Sequence, residues 1–273
     1  MFTTARPKST LQSAVTILEL IYHDTVRNIR KGHGNAFVAL GMNILTVVVM
    51  VMAFYLLFTV LGLKAAKLRG DFLLFMMSGI FLYITHVKAV SAVAGADGPA
   101  SPMMQHAPMN TAISIASAAL GALYIQVLSL VLVLFVYHVV FVPISIYQPI
   151  YAFGMVLLAW FTGCAVGLVL MALRPWFPNF VKIFMMVYQR ANMIASGKMF
   201  VVNMLPPFMY QMFSWNPLFH NIDQARGFVF INYFPHKTSL MYPVYVGITL
   251  IMLGLIGEFY TRRRTSLSWE ARR

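Results

Sequence analysis

Residues 111–173 read TAISIASAALGALYIQVLSLVLVLFVYHVVFVPISIYQPIYAFGMVLLAWFTGCAVGLVLMAL and contain no Asp, Glu, Lys or Arg. About 20 apolar residues cross the hydrocarbon core of a bilayer, so an uncharged stretch of this length holds at least two crossings. Pro143 supplies a turn between them, because a proline interrupts a helix that would otherwise continue. The stretch predicts spans at 111–142 and 144–173, and it assigns the chain to the all-α membrane proteins.

Four more apolar runs lie on either side of this stretch. The run at 36–62 is free of charged residues, and the run at 240–260 ends just before three consecutive arginines. The run at 72–93 contains one lysine near its end, and the run at 178–199 contains three basic residues. Together they predict a transmembrane domain of six helices over residues 36–260.

The weakest predicted span, at 178–199, contains Lys182, Arg190 and Lys198. A charge at the centre of a bilayer costs on the order of 3 kcal/mol on insertion scales, so these residues need an explanation. Lys182 and Lys198 lie near opposite ends, from which a long side chain can extend to the nearer interface. Arg190 lies close to the middle. We therefore expect Arg190 to face the protein interior or a watery pathway.

The basic residues favour an even number of spans, with both chain ends in the cytoplasm. Cytoplasmic segments of membrane proteins carry an excess of Lys and Arg. Six spans place twelve basic residues inside: Arg6, Lys8, Arg27, Arg30, Lys31, Arg174, Lys182, Arg262, Arg263, Arg264, Arg272 and Arg273. They place five outside: Lys64, Lys67, Arg69, Arg226 and Lys237. We expect a multi-pass protein of a bacterial inner membrane, with a cytoplasmic N terminus (1–35) and a basic cytoplasmic tail (261–273).

Two segments outside the spans have amphipathic character. Residues 11–31 place apolar side chains at a spacing of three or four, with charged side chains mostly on other faces. This pattern predicts a helix in the membrane interface or, alternatively, a soluble helix packed on a partner. Residues 206–239 are too polar and too rich in proline to cross, but they contain many aromatic residues. They predict short re-entrant helices that enter the outer interface before the last span.

The composition argues against most soluble functions. The chain is 60% hydrophobic and only 10% charged, whereas soluble domains average about 25% charged residues. Its 20 basic and 7 acidic residues fit contact with anionic lipid headgroups better than nucleic-acid binding. The sequence contains no phosphate-binding loop, no HExxH, no CxxC and no GxSxG motif, and its histidines lack metal-ligand spacing. It therefore predicts no enzyme activity, no metal and no cofactor in this chain.

Two short motifs each have a plain and a more specific interpretation. Gly163 and Gly167 form a GxxxG motif, which indicates close helix packing within the subunit or, alternatively, a homodimer seam. The segment 95–110 contains Met103, Met104, Gln105 and His106. It is either an ordinary connecting loop or a docking element for a cytoplasmic partner, since methionine side chains adapt to apolar grooves.

One run before the last span is characteristic of a family: Asn216, Pro217, Leu218, Phe219, His220, Asp223 and Arg226. The second predicted span adds Asp71, Phe72, Gly79 and Tyr83. With the amphipathic helix and six spans, these residues resemble the membrane permease subunits of type-2 ABC exporters. The resemblance is greatest to those that export capsular polysaccharide, O-antigen or teichoic acid. The chain has Gly227 where that family often has a glutamate.

The resemblance implies a homodimer of permeases with two copies of an ABC ATPase subunit, which binds the ATP and Mg. It implies coupling to that subunit through residues of the interface helix and first cytoplasmic loop: Arg27, Arg30, Met103, Met104, Gln105 and His106. It implies a polysaccharide path or outer mouth that includes Tyr83, Arg190, Trp215, Asn216, Phe219, His220, Asp223 and Arg226. Alternatives are the export of drugs or lipids by the same fold, or a structural membrane protein that does not transport.

Overall fold

The computed structural model describes residues 10–31, 34–60, 62, 72–98 and 110–270. In these residues the protein is entirely helical and contains no strand. The helices are α1 (Thr10–Lys31), α2 (Ala36–Val60), α3 (Phe72–Ala94), α4 (Thr111–Val140), α5 (Pro149–Leu173), α6 (Pro178–Ala195), α7 (Pro207–Phe213), α8 (Pro217–Val229) and α9 (Met241–Glu270). The prediction of an all-α chain is confirmed for this part of the protein.

Among the described residues, five helices are long and apolar enough to cross a membrane, as in a multi-pass membrane protein: α2, α3, α4, α5 and the segment Met241–Arg264 of α9. They correspond to the predicted spans at 36–62, 72–93, 111–142, 144–173 and 240–260. The predicted span at 178–199 corresponds to α6, which has 18 residues and is not among the five. Its basic residues, together with Gln189 and Asn192, lower its hydropathy below that of the others.

Local sequence signals explain where several helices begin. Pro149, Pro178, Pro207 and Pro217 each occupy the first turn of a helix. Proline suits this position because its fixed backbone angle is already helical and its missing N–H would have no partner there. Asn110 caps α4 by accepting a hydrogen bond from the backbone N–H of Ala112.

Contacts between the long helices define their directions. A Cβ atom added to Gly163 of α5 would meet the carbonyl oxygen of His86 in α3, and one added to Gly167 would meet that of Val90. Residue numbers thus increase together along the two contacting helices, so α3 and α5 run in the same direction. Likewise Gly247 and Gly254 of α9 pack on Phe161 and Leu168 of α5, so these helices are also parallel.

Helix α2 runs the other way. The ring of Phe58, near the end of α2, lies 5.7 Å from the ring of Phe72, at the start of α3. The beginning of α2 and the end of α9 therefore lie at the same end of the bundle, which we call the base; the opposite end is the top. This arrangement requires α6 and the short helices to return the chain from base to top, because α5 and α9 are parallel.

The GxxxG motif serves packing within the subunit. A Cβ atom at Gly163 would stand 2.5 Å from the His86 carbonyl oxygen, and one at Gly167 would stand 2.9 Å from that of Val90. No side chain fits at such distances, so the two glycines allow α5 to approach α3 closely. The plain interpretation of the motif is confirmed, and these positions are not available to a homodimer seam.

Helix α3 is the centre of the bundle, and the surrounding helices expose apolar side chains. Ile80, Ala89 and Val90 of α3 are fully buried, whereas Phe37 of α2 and Ile256 of α9 are largely exposed. A soluble protein rarely exposes so much continuous apolar surface. Hydrocarbon is the solvent that suits this surface.

The two ends of the chain pack on the base as helices. Helix α1, predicted at 11–31, lies against α4, where Gly121 contacts Thr25 and Ile29. Helix α9 continues to Glu270, well into the predicted tail at 261–273. Its extension is stabilised by side-chain pairs one turn apart, since Arg264 donates to the Tyr260 hydroxyl at 2.6 Å.

Candidate functional site

The chain leaves α6 at Ala195, part of the way from base to top, and then folds back on itself. Gly197 adopts a left-handed backbone with φ of 74°, and Val202–Met204 form a short 3-10 turn. Helices α7 and α8 follow within the predicted re-entrant segment 206–239. We call residues 196–239 the return segment.

Arg226 on α8 holds the beginning of the return segment. Its guanidinium donates to the carbonyl oxygens of Gly197, Lys198 and Phe200 at 3.0, 2.6 and 2.7 Å. It also lies 4.0 Å from the ring centroid of Phe75 on α3, and its side chain is 0% exposed. The planar fork of an arginine can satisfy several carbonyls at once. Arg226 thus links the beginning of the return segment to α8 within the same segment.

Lys198 is buried beside this arginine and has an aromatic environment. It is 1% exposed, and its ammonium lies 3.5 Å from the ring centroid of Tyr83 and 5.0 Å from that of Phe54. Its Nζ has no hydrogen-bond acceptor among the described residues. Attraction to the faces of two rings compensates part of the loss of water. The expectation that Lys198 extends to the outer interface is wrong, because Tyr83 and Phe54 enclose its ammonium within the bundle.

Gly79 makes this arrangement possible. A Cβ atom there would lie 2.8 Å from Cβ and 2.9 Å from Cα of Lys198, and 3.0 Å from an Arg226 nitrogen. Only glycine lets the backbone of Lys198 approach α3 this closely. Gly79, which the resemblance singled out in the second predicted span, is therefore required by this close packing.

Asp223 is a buried carboxylate one turn before Arg226. It is 0% exposed, and it accepts hydrogen bonds from the hydroxyls of Tyr233 and, at 2.8 Å, Thr238. The nearby charge of Arg226 offsets part of the cost of burying this carboxylate. The two hydroxyl contacts join the end of the return segment, which carries Tyr233 and Thr238, to the middle of α8.

Two further residues of the family-like run fix the start of α8. The Asn216 side chain accepts from the Leu218 N–H at 3.0 Å and donates to Asn192 on α6 at 2.9 Å. His220 contacts the Ser214 carbonyl through Nε2 at 2.7 Å and accepts from the Ser239 N–H through Nδ1 at 3.0 Å. The imidazole thus bridges two backbone groups, with one nitrogen donating and the other accepting, which is the neutral form.

Gly227, where the resembled family often has glutamate, lies against the following loop. A Cβ atom at this position would be 2.8 Å from Cδ of Pro235. The loop that carries Tyr233 and Thr238 can therefore close over α8 only because residue 227 lacks a side chain.

The predicted path residues fall into two groups. Six are buried within the chain: Tyr83, Asn216, Phe219, His220, Asp223 and Arg226. In this conformation their side chains hold the return segment together. Trp215 is 64% exposed at the top, and Arg190 is exposed on α6. These two are the predicted path residues that could meet a transported molecule without rearrangement.

The predicted coupling residues are only partly described. Arg27 of α1 is paired with Asp24 on the same helix and lies 4.0 Å from Asp97, just after α3. Arg30 is exposed at the base. Met103, Met104, Gln105 and His106 lie outside the described residues. The Arg27–Asp97 pair joins α1 to the start of the loop that contains them.

Sequence reasoning missed the hydroxyl partners of Asp223 and the aromatic surroundings of Lys198. Tyr233 and Thr238 follow Asp223 by ten and fifteen residues, and no periodicity links them. The sequence signals that could have helped are Gly79, Gly197 and Gly227, because each permits a close approach at this junction.

Within the described ranges, no group of three or more His, Cys, Asp or Glu side chains could hold a metal ion. No protein-family model matches the chain, and no curated protein matches it.

Proposed function

We propose that the chain is the permease subunit of an ATP-binding cassette exporter that moves polysaccharide or lipid-linked polysaccharide across the bacterial inner membrane. It acts as a homodimer with two copies of an ATPase subunit. In this proposal the ATPase subunit binds the ATP and Mg. The base faces the cytoplasm, and the top faces outward.

The observation that carries the proposal is the exposed arginine on α6. The neighbouring Gln189 carbonyl accepts from the Tyr83 hydroxyl at 3.0 Å, and Tyr188 contacts His86 at 2.8 Å. His86 lies eight residues before the end of α3, so Arg190 stands roughly 12 Å above the base. An arginine exposed to lipid at that depth is costly, on the order of 3 kcal/mol. A second copy facing α6 across a watery path removes this cost.

The topology supports six passages with both termini in the cytoplasm. Helix α6 rises from the base, and the return segment completes the passage to the top, where α9 begins. Irregular backbone at membrane depth is tolerated where protein or water satisfies its polar groups. Arg226 satisfies three such carbonyls. The predicted span at 178–199 is accordingly a helix that ends early and is continued by shorter ones.

The position of α1 supports coupling to an ATPase at the base. It packs along the lower part of α4 and is linked by Arg27 to Asp97. Closure of the two ATPase subunits pushes on α1 and on the loop after Asp97. The push is transmitted to α3 and α4 and opens a path between the two copies.

Exposed aromatic rings at the top suit a sugar polymer. Phe208, Trp215 and Phe234 each expose most of their surface. The C–H faces of sugars stack weakly on aromatic rings, which lets a chain slide without being trapped. A drug or lipid exporter of the same fold is the second candidate, favoured by the largely apolar exposed surfaces of α2 and α4. A structural protein without transport is the third.

Co-purification from the native host tests the proposal. An affinity tag on the chain should retain an ATPase subunit in equal amount, and a scaffold should not. Deletion of the gene should remove the surface polymer and cause polymer to accumulate inside the cell. Unchanged surface polymer with a retained ATPase would reject the substrate class but keep the exporter.

The homodimer has a separate test. Cys164 is the only cysteine, so a Cys164→Ser background allows site-specific crosslinking. Arg190→Cys should crosslink two copies through α6. Met252→Cys, exposed on the far side of α9, is the control. Equal crosslinking of both would contradict a path lined by α6.

A further inference from the structure

A cavity of about 580 Å³ opens at the base, between α1, α2, α3 and α4. Small residues create the space, among them Gly95, Ala118 and Gly121. Met42 of α2 lines the cavity and is 48% exposed, so the cavity reaches the outer apolar surface of the bundle. None of the residues of the return segment contributes to it.

The cavity contains an ammonium without a counter-ion. Lys88 lines it, is exposed, and makes no ion pair in the part of the chain that the structure describes. The carboxylate in the lining, Asp97, lies 4.0 Å from Arg27 of α1, which also pairs with Asp24 on its own helix. Lys88 has no such partner among the described residues, so its ammonium is available to a ligand.

Three amide side chains in the lining have a donor to spare, while the hydroxyls of Thr46 and Ser91 donate within their own helices. Asn43 uses one N–H of its amide to donate to Ser129 at 2.7 Å, and Gln126 uses one to donate to Asn43 at 3.0 Å. Asn28 of α1 donates to Asp24 at 3.4 Å. Each amide nitrogen carries a second hydrogen, for which the described residues show no further acceptor. Gln126 is 2% exposed, and its Oε1 has no partner among the described residues.

We propose that this cavity binds the phosphate of a membrane lipid. The Lys88 ammonium and the second amide hydrogens of Asn28 and Asn43 are donors that an anionic acceptor can satisfy. Lysine is a common point-charge ligand of phosphate. The apolar chain of the lipid leaves past Met42 along the exposed face of α2. The site goes beyond the transport role, because it requires only that the chain lies in a membrane.

Two kinds of lipid carry a phosphate that suits this cavity. One is an ordinary anionic phospholipid of the leaflet at the base. The other is a polyprenyl phosphate that carries a sugar polymer. The chemistry at Lys88 is the same for both, and only the apolar part differs.

Native mass spectrometry of the purified full chain in detergent tests the proposal. The probes are phosphatidic acid, a polyprenyl monophosphate, and a diacylglycerol with the same acyl chains but no phosphate. We expect one molecule of phosphatidic acid or polyprenyl phosphate per chain and much weaker binding of diacylglycerol. Lys88→Gln should lower the affinity for the phosphate lipids about tenfold or more, as expected when one charge-assisted hydrogen bond is lost.

The matched control is Lys182→Gln, which removes an exposed lysine of α6 that does not line the cavity. It should bind like wild type, and Lys88→Arg should retain most of the affinity. Ala122→Phe, which fills the cavity without changing charge, should also abolish binding. These variants keep the test decisive if Lys88→Gln folds poorly.

The comparison of the two phosphate lipids distinguishes the two kinds of ligand. A preference for polyprenyl phosphate identifies the carrier lipid, and equal binding identifies a leaflet phospholipid. Wild-type affinity in Lys88→Gln and Ala122→Phe, or equally tight binding of diacylglycerol, would overturn the proposal. No ATPase or transport enters the measurement, so its failure is distinct from failure of the exporter proposal.

Discussion

Removal of the Arg226 side chain should loosen the whole return segment. Arg226→Ala deletes three hydrogen bonds from a charged donor to the carbonyls of Gly197, Lys198 and Phe200. It also removes the contact with Phe75 and leaves Asp223 as a buried carboxylate without its nearby cation.

The expected loss can be sized from these contacts. Hydrogen bonds to charged groups contribute about 1.5–3 kcal/mol each, and they are not additive when one group makes several. Breaking a buried charged arrangement by deleting one partner costs about 3–5 kcal/mol. For a chain of this size, about 1 kcal/mol shifts the melting temperature by roughly 2–4 °C. We therefore expect Arg226→Ala to melt roughly 10 °C below wild type.

The single cysteine provides the assay. Cys164 on α5 is partly buried, so a thiol-reactive fluorophore reports the temperature at which the bundle opens in detergent. Arg190→Ala is the control, because it removes an exposed arginine and should change the melting temperature by about 2 °C or less. Arg226→Lys keeps the charge but not the fork, and it should lie between the two. Equal melting of Arg226→Ala and Arg190→Ala would refute the assigned role.

Three further outcomes follow from the same contacts. Gly79→Ala should lower the melting temperature because its Cβ meets the Lys198 backbone, whereas Gly41→Ala, with open space around it, should not; equal effects would contradict the close approach. Gly163→Ala should lower the melting temperature because its Cβ would meet the backbone of α3, whereas Gly154→Ala on the same helix should not. If Gly163→Ala instead lost a dimer at unchanged melting temperature, the motif would be a homodimer seam. Asp223→Asn removes a carboxylate that accepts from the hydroxyls of Tyr233 and Thr238, so it should lower the melting temperature; an unchanged melting temperature would contradict the role of these contacts.

The long helices were predictable because lipid imposes a simple rule. An uncharged run such as 111–173 has no favourable alternative to crossing as helix, and Pro143 marks the turn. The observed helix boundaries differ from the predicted ones by a few residues, since helix ends depend on local signals such as Asn110 and Pro149. The helix at 11–31 was likewise predictable from its periodicity.

The junction at the end of α6 was less predictable. The sequence indicated that 178–199 was an unusual span and that Arg190 needed a special environment. It did not reveal that α6 ends early or that Lys198 turns inward between aromatic rings. Both depend on Gly79 and Arg226, which lie far away in sequence and meet only in the folded bundle.

The most direct test of the central claim is the sidedness of the base and the top in intact cells. In the Cys164→Ser background, single cysteines at Gly34, His236 and Arg263 are all at exposed positions. A membrane-impermeant thiol reagent should label His236→Cys from outside, while Gly34→Cys and Arg263→Cys should react only after the membrane is opened. Labelling of Gly34→Cys and Arg263→Cys from opposite sides would contradict the paired termini, the return segment and the exporter built on them.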